Sequence, residues 1–276
     1  MKAKQKMLHA VRNVFLVLLA IYCLAPLVLM FFNSAKDQTD FLTNPFGIPS
    51  TFKFQNYATA WVKGGYTQGY LNSLMVSCIS IVFVVLFSGL ASYTLAKMKF
   101  RGSNLVMMYF ILSMSIPTCL FLVPLFFIFK SVGLMNSLPG LIVIYIAIYI
   151  PFNVVFLRSF FLGIPTSIIE SASLDGCSEL GTFWRIILPI SKPAFFTVAL
   201  LVFLWTWNEF FFANSFLTTA SLKPVSTRFI AFKGTYSSDW TLISAAGMIS
   251  IIPIMTAYLL FQRNFIEGLM SGSVKG

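Results

Sequence analysis

Residues 71–96 read LNSLMVSCISIVFVVLFSGLASYTLA and contain no charged side chain. A run of roughly 20 apolar residues is long enough to cross a bilayer, and a helix is the expected form because backbone groups in lipid must bond to each other. Similar runs occupy residues 14–32, 105–129, 138–160, 193–217 and 240–262, where the only charged residues are Arg158 near the end of 138–160 and Glu209 in 193–217. The sequence therefore predicts an all-α membrane protein with six transmembrane helices in one domain over residues 1–276.

Composition and charge support this prediction. Hydrophobic residues make up 58% of the chain and charged residues only 10%, whereas soluble domains carry about 25% charged residues. Twelve of the 19 Lys and Arg residues fall on the side of the N-terminus and seven on the other, which predicts that both termini are cytoplasmic. The first apolar run is too long for a signal peptide. The basic residues are dispersed among the spans, so no nucleic-acid partner is expected.

Several classes of chemistry are excluded by residue content. The four cysteines are isolated and His9 is the only histidine, so neither a zinc site nor a Ser/His/Asp triad can be assembled. A G-x-x-x-x-G-K-[ST] phosphate loop is also missing from the sequence. We therefore expect a protein that is not an enzyme, with no metal site and no ATPase site of its own.

Glu209 is the one acidic residue inside a predicted span. A charge at mid-bilayer costs about 2.5 to 3.5 kcal/mol, so this side chain should face protein or a wet cavity, together with Trp205 and Asn208. A role in a substrate pathway is one interpretation. The alternatives are a structural hydrogen bond to a neighbouring helix, or a position closer to the outer interface.

Small residues and prolines inside the spans predict packing features. Small side chains allow helices to approach closely, and prolines kink membrane helices. The small-residue clusters are residues 88–92 and 244–247, and the prolines are Pro26, Pro117, Pro124, Pro151 and Pro253.

Residues 163–192, here called the coupling segment, form the longest inner connection. Ser167 and Glu170 have the spacing of a capping box, and Gly176 is a plausible helix end, so a short helix is predicted over residues 168–175. Its apolar positions are too few for a span, and an isolated helix of this length is marginal in water. The sequence therefore predicts that its apolar face docks onto another protein.

This segment resembles a known motif. Glu170-Ser171-Ala172, Gly176 four residues later and, after nine more residues, Ile186-Ile187-Leu188-Pro189 are similar to the E-A-A-x-x-x-G-x9-I-x-L-P loop of ABC importer permeases, with Ser171 in place of the first Ala. Nearly the whole chain resembles the smaller permease subunit of maltose-type carbohydrate importers. The further motifs are Asn33-Ser34, Asn56-Tyr57, Asn72-Ser73, Tyr93-Thr94-Leu95-Ala96 with Phe100 and Gly102, Trp207-Asn208-Glu209-Phe210, Gln262-Arg263, Gly268, Gly272 and Lys275-Gly276.

The resemblance implies a type I ABC importer permease in a prokaryotic inner or plasma membrane. It implies a second permease subunit as heterodimer partner, two ABC ATPase subunits that hold ATP and Mg, and an extracellular or periplasmic sugar-binding protein. Membrane lipid is the remaining partner, and this chain itself binds no cofactor. The substrate implied is a carbohydrate, and the family favours an oligosaccharide.

The resemblance also assigns candidate residues to two contact surfaces. The ATPase-coupling residues are Glu170, Ser171, Ala172, Leu174, Asp175, Gly176, Ile186, Leu188 and Pro189. The outer loop, residues 222–239, matches in position the loop that maltose-type permeases present to the binding protein, and its candidate contacts are Lys223, Arg228, Lys233 and Gly234.

The main alternative is a secondary transporter driven by an ion gradient, with Glu209 as the proton or sodium site. That interpretation leaves the spaced motif from Glu170 to Pro189 unexplained.

Overall fold

The computed structural model describes the backbone of residues 2–234 and 237–273, and the side chains of residues 5–234 and 237–262. Of the motif residues, Arg263, Gly268 and Gly272 lie outside the range of described side chains. Lys275 and Gly276 lie outside the described backbone as well. The helices are α1 (Lys2–Ser34), α2 (Gln38–Thr43), α3 (Gln55–Lys63), α4 (Tyr66–Lys97), α5 (Ser103–Ser115), α6 (Leu122–Ser131), α7 (Leu138–Leu162), α8 (Thr166–Leu174), α9 (Glu179–Thr182), α10 (Leu188–Ile190), α11 (Lys192–Asn208), α12 (Phe211–Phe216) and α13 (Trp240–Ser273). Shorter turns connect them: 3-10 helices at Thr118–Phe121, Ala220–Leu222 and Val225–Phe232, and a π-helix at Phe183–Ile187.

Within the described residues, four single helices are long and apolar enough to cross a membrane. They cover Gln5–Ser34, Tyr66–Lys97, Leu138–Leu162 and Trp240–Gln262. Two further pairs of helices pass the same test only when each pair is taken together, and each is sharply bent, by 95° and by 82°. The fold therefore provides between four and six membrane crossings.

The first bend lies at Pro117 and divides the run predicted as one span over residues 105–129. Ile116 is extended, with φ −86° and ψ 121°, because the residue before a proline avoids the helical region. Pro117 itself has no N–H to continue the helix. The chain restarts as the 3-10 turn and α6, so a sharp break replaces the simple kink expected from the sequence.

The second bent pair joins Glu179–Ile190 to α11. Here the run predicted as a span over residues 193–217 is also interrupted, because α11 ends at Asn208 and Glu209 is extended, with φ −66° and ψ 118°. The short helix α12 follows as a separate element. The acidic residue thus lies at a helix break instead of inside a continuous helix.

By internal contacts the chain divides into two units, Met1–Thr67 with Arg228–Ile252, and Gln68–Thr227 with Pro253–Gly276. In the first unit, two of the resemblance motifs form one hydrogen-bond cluster. Asn56 Nδ2 donates to the carbonyl oxygens of Ser34 (2.9 Å) and Lys36 (2.7 Å), and the Ser34 and Tyr57 hydroxyls lie 2.6 Å apart. Buried Lys36 donates from Nζ to Asn33 Oδ1 at 2.9 Å. These bonds organise the connection between α1 and α3.

In the second unit, the main core joins α4, α7, α8 and α11 through buried residues that include Val84, Leu157, Phe161, Phe183 and Val198. A second cluster joins α7 and α12 through Tyr145 and Phe216. In lipid such helices are held by close packing and hydrogen bonds more than by exclusion of water.

The small residues make this close packing possible. A Cβ on Gly89 would lie 2.7 Å from the Phe195 ring, so only glycine allows α4 and α11 to approach as they do. Ser92 Oγ donates to the Val154 carbonyl of α7 at 2.9 Å. Inside the first unit, a Cβ on Gly247 would lie 2.9 Å from Met30 Sδ.

Candidate functional site

A cavity of about 490 Å³ lies among α5, the Thr118–Phe121 turn, α7 and α11. The structure brings Trp205, Asn208 and Glu209, all predicted from the sequence, to the wall of this cavity. Tyr149 and Phe152 of α7 complete an aromatic cluster, with ring centroids 5.2 Å from that of Trp205 in each case. Clustered aromatic rings beside a carboxylate and an amide form a surface suited to a sugar, which presents both apolar faces and hydroxyl groups.

Sequence reasoning missed the two aromatic residues of α7. Tyr149 and Phe152 are three residues apart, the spacing that places side chains on one helix face, and this was the available signal. In a chain with 31 Phe and 10 Tyr, that signal could not be separated from ordinary lipid-facing residues. Only the approach of α7 to α11 identifies these two rings.

The Glu209 carboxylate accepts three hydrogen bonds. Its Oε1 accepts from the Phe212 N–H at 2.8 Å, and its Oε2 accepts from the Ala213 N–H at 3.0 Å and from the Tyr145 hydroxyl at 2.7 Å. The carboxylate therefore satisfies free N–H groups at the start of α12, where negative charge is favoured. The structural hydrogen bond considered as an alternative is present, and the half-buried side chain also borders the cavity.

The coupling segment contains the predicted short helix, α8, but its start differs from the prediction. Pro165 occupies the N-cap position and α8 begins at Thr166, so Ser167 lies within the first turn instead of capping it. Pro165 is compatible with a helix start because its φ of −58° is close to the helical value. To cap the helix with its side chain, Ser167 would have to occupy the N-cap position, just before the first helical residue. Glu170 is consequently an exposed side chain on the helix surface.

The end of α8 agrees with the prediction. Gly176 has φ +79°, a left-handed conformation that favours glycine. Its N–H donates to the Ser173 carbonyl at 3.1 Å and the Cys177 N–H donates to the Ala172 carbonyl at 2.9 Å. These two bonds form a Schellman motif, which terminates the helix rigidly.

The apolar face of α8 does not point away from the chain as predicted. Ile169 and Ala172 are buried, and Ile169 belongs to the main core of the second unit. The exposed face carries Leu174, which is 89% exposed, and Asp175 beside it. The sequence pattern could not tell which partner covers the buried stripe, and the structure shows that this chain covers it.

The remaining coupling residues differ in accessibility. Ser171, Gly176 and Pro189 are exposed, Ile186 and Leu188 are half-buried, and the intervening Ile187 is fully buried. This pattern arises because Phe183–Ile187 forms a π-helical turn that rotates the apolar side chains onto the core. Two large apolar side chains of the same segment are also exposed, Leu180 by 58% and Trp184 by 45%.

The outer loop agrees with its prediction only in part. Lys233 and Gly234 are exposed and Lys223 is half-buried, with Nζ 3.5 Å from Asn214 Oδ1. Arg228, in contrast, is only 7% exposed and donates from Nη1 to the Gly64 carbonyl at 3.5 Å. Burial lowers the pKa of its guanidinium. Arg228 is therefore buried within this chain, and its contact with a binding protein stays a prediction. Residues 235–236, at the tip of this loop, lie outside the described residues.

The part of the chain with described side chains contains no group of three or more His, Cys, Asp or Glu residues placed to hold a metal ion. The described part of the chain offers a cavity, an exposed short helix and an outer loop as candidate binding surfaces.

Apolar helices that can cross a membrane several times, with a cavity between them, define a multi-pass membrane protein. Residues 86–270 match the family described as binding-protein-dependent transport system inner membrane component. The chain belongs to this family, and it is a multi-pass permease of ABC importer type in the cell membrane. This membership favours the ABC importer interpretation over an ion-gradient transporter.

Individual relatives agree with the assignment. The chain is 35% identical over 263 residues to the probable ABC transporter permease protein YurM of Bacillus subtilis, covering 95% of this chain and 87% of that protein. It is 31% identical over 269 residues to the diacetylchitobiose uptake system permease protein NgcG of Streptomyces coelicolor, covering 96% and 89%. Its fold is similar to a chain in the crystal structure of a bacterial ABC transporter involved in the import of the acidic polysaccharide alginate, with a TM-score of 0.81, 22% identity, and coverage of 95% and 98%.

Proposed function

We propose that this chain is the permease subunit that forms half of the pathway of an ATP-driven carbohydrate importer and receives the energy of ATP hydrolysis through its coupling segment. The observation that carries the proposal is α8, a rigidly terminated helix whose inner face is anchored in the chain and whose outer face, with Leu174 and Glu170, is free for a partner. The six spans and cytoplasmic termini that the sequence predicts would put this face on the side where ATP is available.

The partners follow from the same assignment. A second, different permease completes the pathway, two ATPase subunits bind ATP and Mg, and an extracellular or periplasmic sugar-binding protein delivers the substrate to the outer side. On the ATPase, a cleft with an apolar floor and a basic rim would complement Leu174 and the acidic side chains of Glu170 and Asp175. On the outer side, Lys233 and Gly234 are the accessible candidates for contact with the binding protein.

The carbohydrate substrate is supported by the cavity. Trp205, Tyr149 and Phe152 can stack on the apolar faces of a sugar ring, and Asn208 can exchange hydrogen bonds with its hydroxyl groups. The role of Glu209 is to hold the end of α11 against α12 and to border the cavity. The uptake of diacetylchitobiose that gives one relative its name makes an oligosaccharide the first class to test.

The deciding experiment is co-purification of the ATPase subunits with the wild-type complex and with Leu174→Glu. The exposed Leu174 has little contact with its own chain, so the variant should insert and fold as wild type but lose the ATPase and sugar uptake together. Leu180→Glu is the second variant, because it changes another exposed leucine of the coupling segment. Leu162→Glu would not be a matched control, since Leu162 belongs to a membrane-spanning helix. Retention of the ATPase and of uptake by both variants would refute the proposed coupling surface.

A further inference from the structure

Tyr93 of α4 connects the coupling segment to a membrane-spanning helix. Its hydroxyl donates to Glu179 Oε2 at 2.8 Å, and Glu179 is the first residue of α9. The Tyr93 ring is 2% exposed and packs on Phe183, with ring centroids 5.6 Å apart. A polar bond and an apolar contact therefore join α4 to the part of the coupling segment that follows α8.

A second bond joins the same face of α4 to the part that precedes α8. Lys97 Nζ donates to the Ile164 carbonyl oxygen at 2.6 Å. Tyr93 and Lys97 are four residues apart, so they lie one above the other on the helix surface. The helix α8 is thus held between two attachment points on α4, one on each side of it in the sequence.

The other end of α4 carries a similar pair of attachments. Asn72 Nδ2 donates to the Ser221 carbonyl oxygen at 2.7 Å, and Ser73 Oγ accepts from the Val225 N–H at 2.9 Å. Asn72 and Ser73 are both nearly fully buried. These bonds attach α4 to residues 221–225, at the start of the outer loop.

Between the two sets of attachments α4 is one uninterrupted α-helix. The 20 residue-to-residue steps from Ser73 to Tyr93 correspond to about 30 Å at 1.5 Å per residue, the thickness of the hydrocarbon core. A continuous helix resists compression and bending, so a displacement applied at one end moves the other. The break at Pro117 deprives the α5–α6 pair of this property.

We propose that α4 transmits nucleotide-driven movement of the coupling segment to residues 221–225, with Tyr93 and Glu179 as the positioning residues at its inner end and Asn72 at its outer end. This inference rests on the proposed function, because it takes the ATPase to act on α8. By linkage the transmission is reciprocal, so a binding protein that moves residues 221–225 also biases the coupling segment.

The test uses a reporter that does not depend on the identity of the sugar. Ser221 is exposed, and Ser221→Cys can be introduced after the four native cysteines are replaced by serine. The measured quantity is the rate at which a membrane-impermeant maleimide labels this thiol in the complete complex, with and without ATP and vanadate. We expect ATP and vanadate to change the rate in the otherwise unaltered complex.

Tyr93→Phe should reduce this nucleotide response by about fivefold or more, the lower end of typical coupling effects, while the ATPase still co-purifies. Glu179→Ala should do the same, and the double variant should be no worse than either single one because both remove one bond. Glu179→Gln keeps an acceptor oxygen and should restore the response. Thr94→Val is the matched control, since Thr94 Oγ1 bonds only along α4, to the Leu90 carbonyl at 3.0 Å.

A full nucleotide response in Tyr93→Phe and Glu179→Ala would overturn the proposal. So would a labelling rate of Ser221→Cys that is the same with and without ATP and vanadate in the otherwise unaltered complex. Equal loss of response in Thr94→Val would reduce Tyr93 to a structural role and would also overturn it. These failures are distinct from failure of the proposed function. If Leu174→Glu releases the ATPase while Tyr93→Phe changes nothing, only the transmission through α4 is wrong.

Discussion

The coupling segment and the outer loop are both polar connections, yet they hold their polar residues in opposite ways. In the coupling segment the apolar side chains Ile169 and Ile187 are buried against the chain, and the charged side chains Glu170 and Asp175 are exposed. In the outer loop the charged side chain of Arg228 is buried. A charged residue in a membrane protein loop is therefore not by itself a contact residue, and its burial has to be known.

The reason lies in the local backbone. The coupling segment contains the regular helix α8, in which a stripe of apolar residues leaves polar residues on the opposite face. The outer loop forms 3-10 turns, and its side chains point where individual turns direct them. Arg228 reaches Gly64, and a Cβ on Gly65, which has φ +65°, would lie 2.9 Å from Arg228 Nη1.

The largest effect is expected at the helix end of the coupling segment. Gly176→Val forces a β-branched residue into a left-handed conformation, costs about 1 to 2 kcal/mol locally and unwinds the end of α8. We expect tenfold or greater loss of sugar uptake per ATP hydrolysed, measured in proteoliposomes with the partner subunits, where about 1.4 kcal/mol corresponds to a factor of ten.

The matched control for this change is Gly133→Val. Gly133 has φ +73°, close to the φ of +79° at Gly176, so a valine would strain the backbone to a similar degree at both positions. At both positions an added Cβ would meet no neighbouring atom within 4 Å. It lies between α6 and α7, away from the coupling segment. Equal loss of coupling in both variants would mean that general destabilisation, and not the end of α8, is responsible.

The second effect concerns Glu209, which bonds to neighbouring helices within the chain and also borders the cavity. Glu209→Gln replaces an acceptor oxygen by an NH₂ group that faces N–H or O–H donors, so at least one of three hydrogen bonds is lost, at about 1 to 3 kcal/mol. We expect a lower unfolding temperature together with reduced transport. Asn208→Ala should reduce transport alone, because Asn208 is exposed to the cavity and its side chain bonds only to the Leu204 carbonyl of its own helix. Unchanged unfolding of Glu209→Gln would contradict the capping role.

The third effect tests the outer loop directly. Arg228→Met removes a buried charge and its bond to Gly64, so we expect a loss of stability of about 1 to 3 kcal/mol. Lys233→Met removes the same formal charge from an exposed position and should leave unfolding unchanged while lowering stimulation of the ATPase by the binding protein. Thermal unfolding of the purified complex, measured beside stimulated ATPase, separates the two. A reversed pattern would restore Arg228 as a contact residue.

The smallest effect is a pH dependence on the outer side. The backbone N–H of Asp40, which donates to Asp37 Oδ1 at 2.8 Å, and then Lys53, with Nζ 3.0 Å from Oδ2, lower the pKa of Asp37 below its ordinary value of 3.8. A carboxyl with a lowered folded-state pKa stabilises the fold above its unfolded value, and this contribution is lost as pH falls through the folded value.

We therefore expect the unfolding temperature to fall below about pH 4, and less steeply in Asp37→Asn than in wild type. Lys53→Met removes the exposed ion pair but keeps the bond from Asp40, so its curve should lie between the two, close to wild type because exposed pairs contribute little. Identical curves for wild type and Asp37→Asn would exclude this source of acid sensitivity.

Much of the fold could be predicted from the sequence because apolar runs of membrane length have few alternatives. The helices α1, α4, α7 and α13 cover the runs expected at residues 14–32, 71–96, 138–160 and 240–262. The spaced motif from Glu170 to Pro189 indicated the family, which the match over residues 86–270 confirms. Such features are local, and local sequence determines them.

The breaks and the direction of side chains were decided by tertiary structure. The spans expected at residues 105–129 and 193–217 are interrupted at Pro117 and at Glu209. At the second break the Tyr145 hydroxyl of α7 and the N–H groups of α12 bond to the Glu209 carboxylate.

Hydrophobic periodicity identified the apolar stripe of α8 but not its partner, which is the chain's own core. The sequence by itself determined that this protein crosses the membrane, because the length and composition of its apolar segments suffice for that, and the spaced motif from Glu170 to Pro189 indicated a permease. Which polar groups meet, as Tyr93 meets Glu179 across 86 positions of sequence, depended on how the helices pack, and packing is a property of the whole fold.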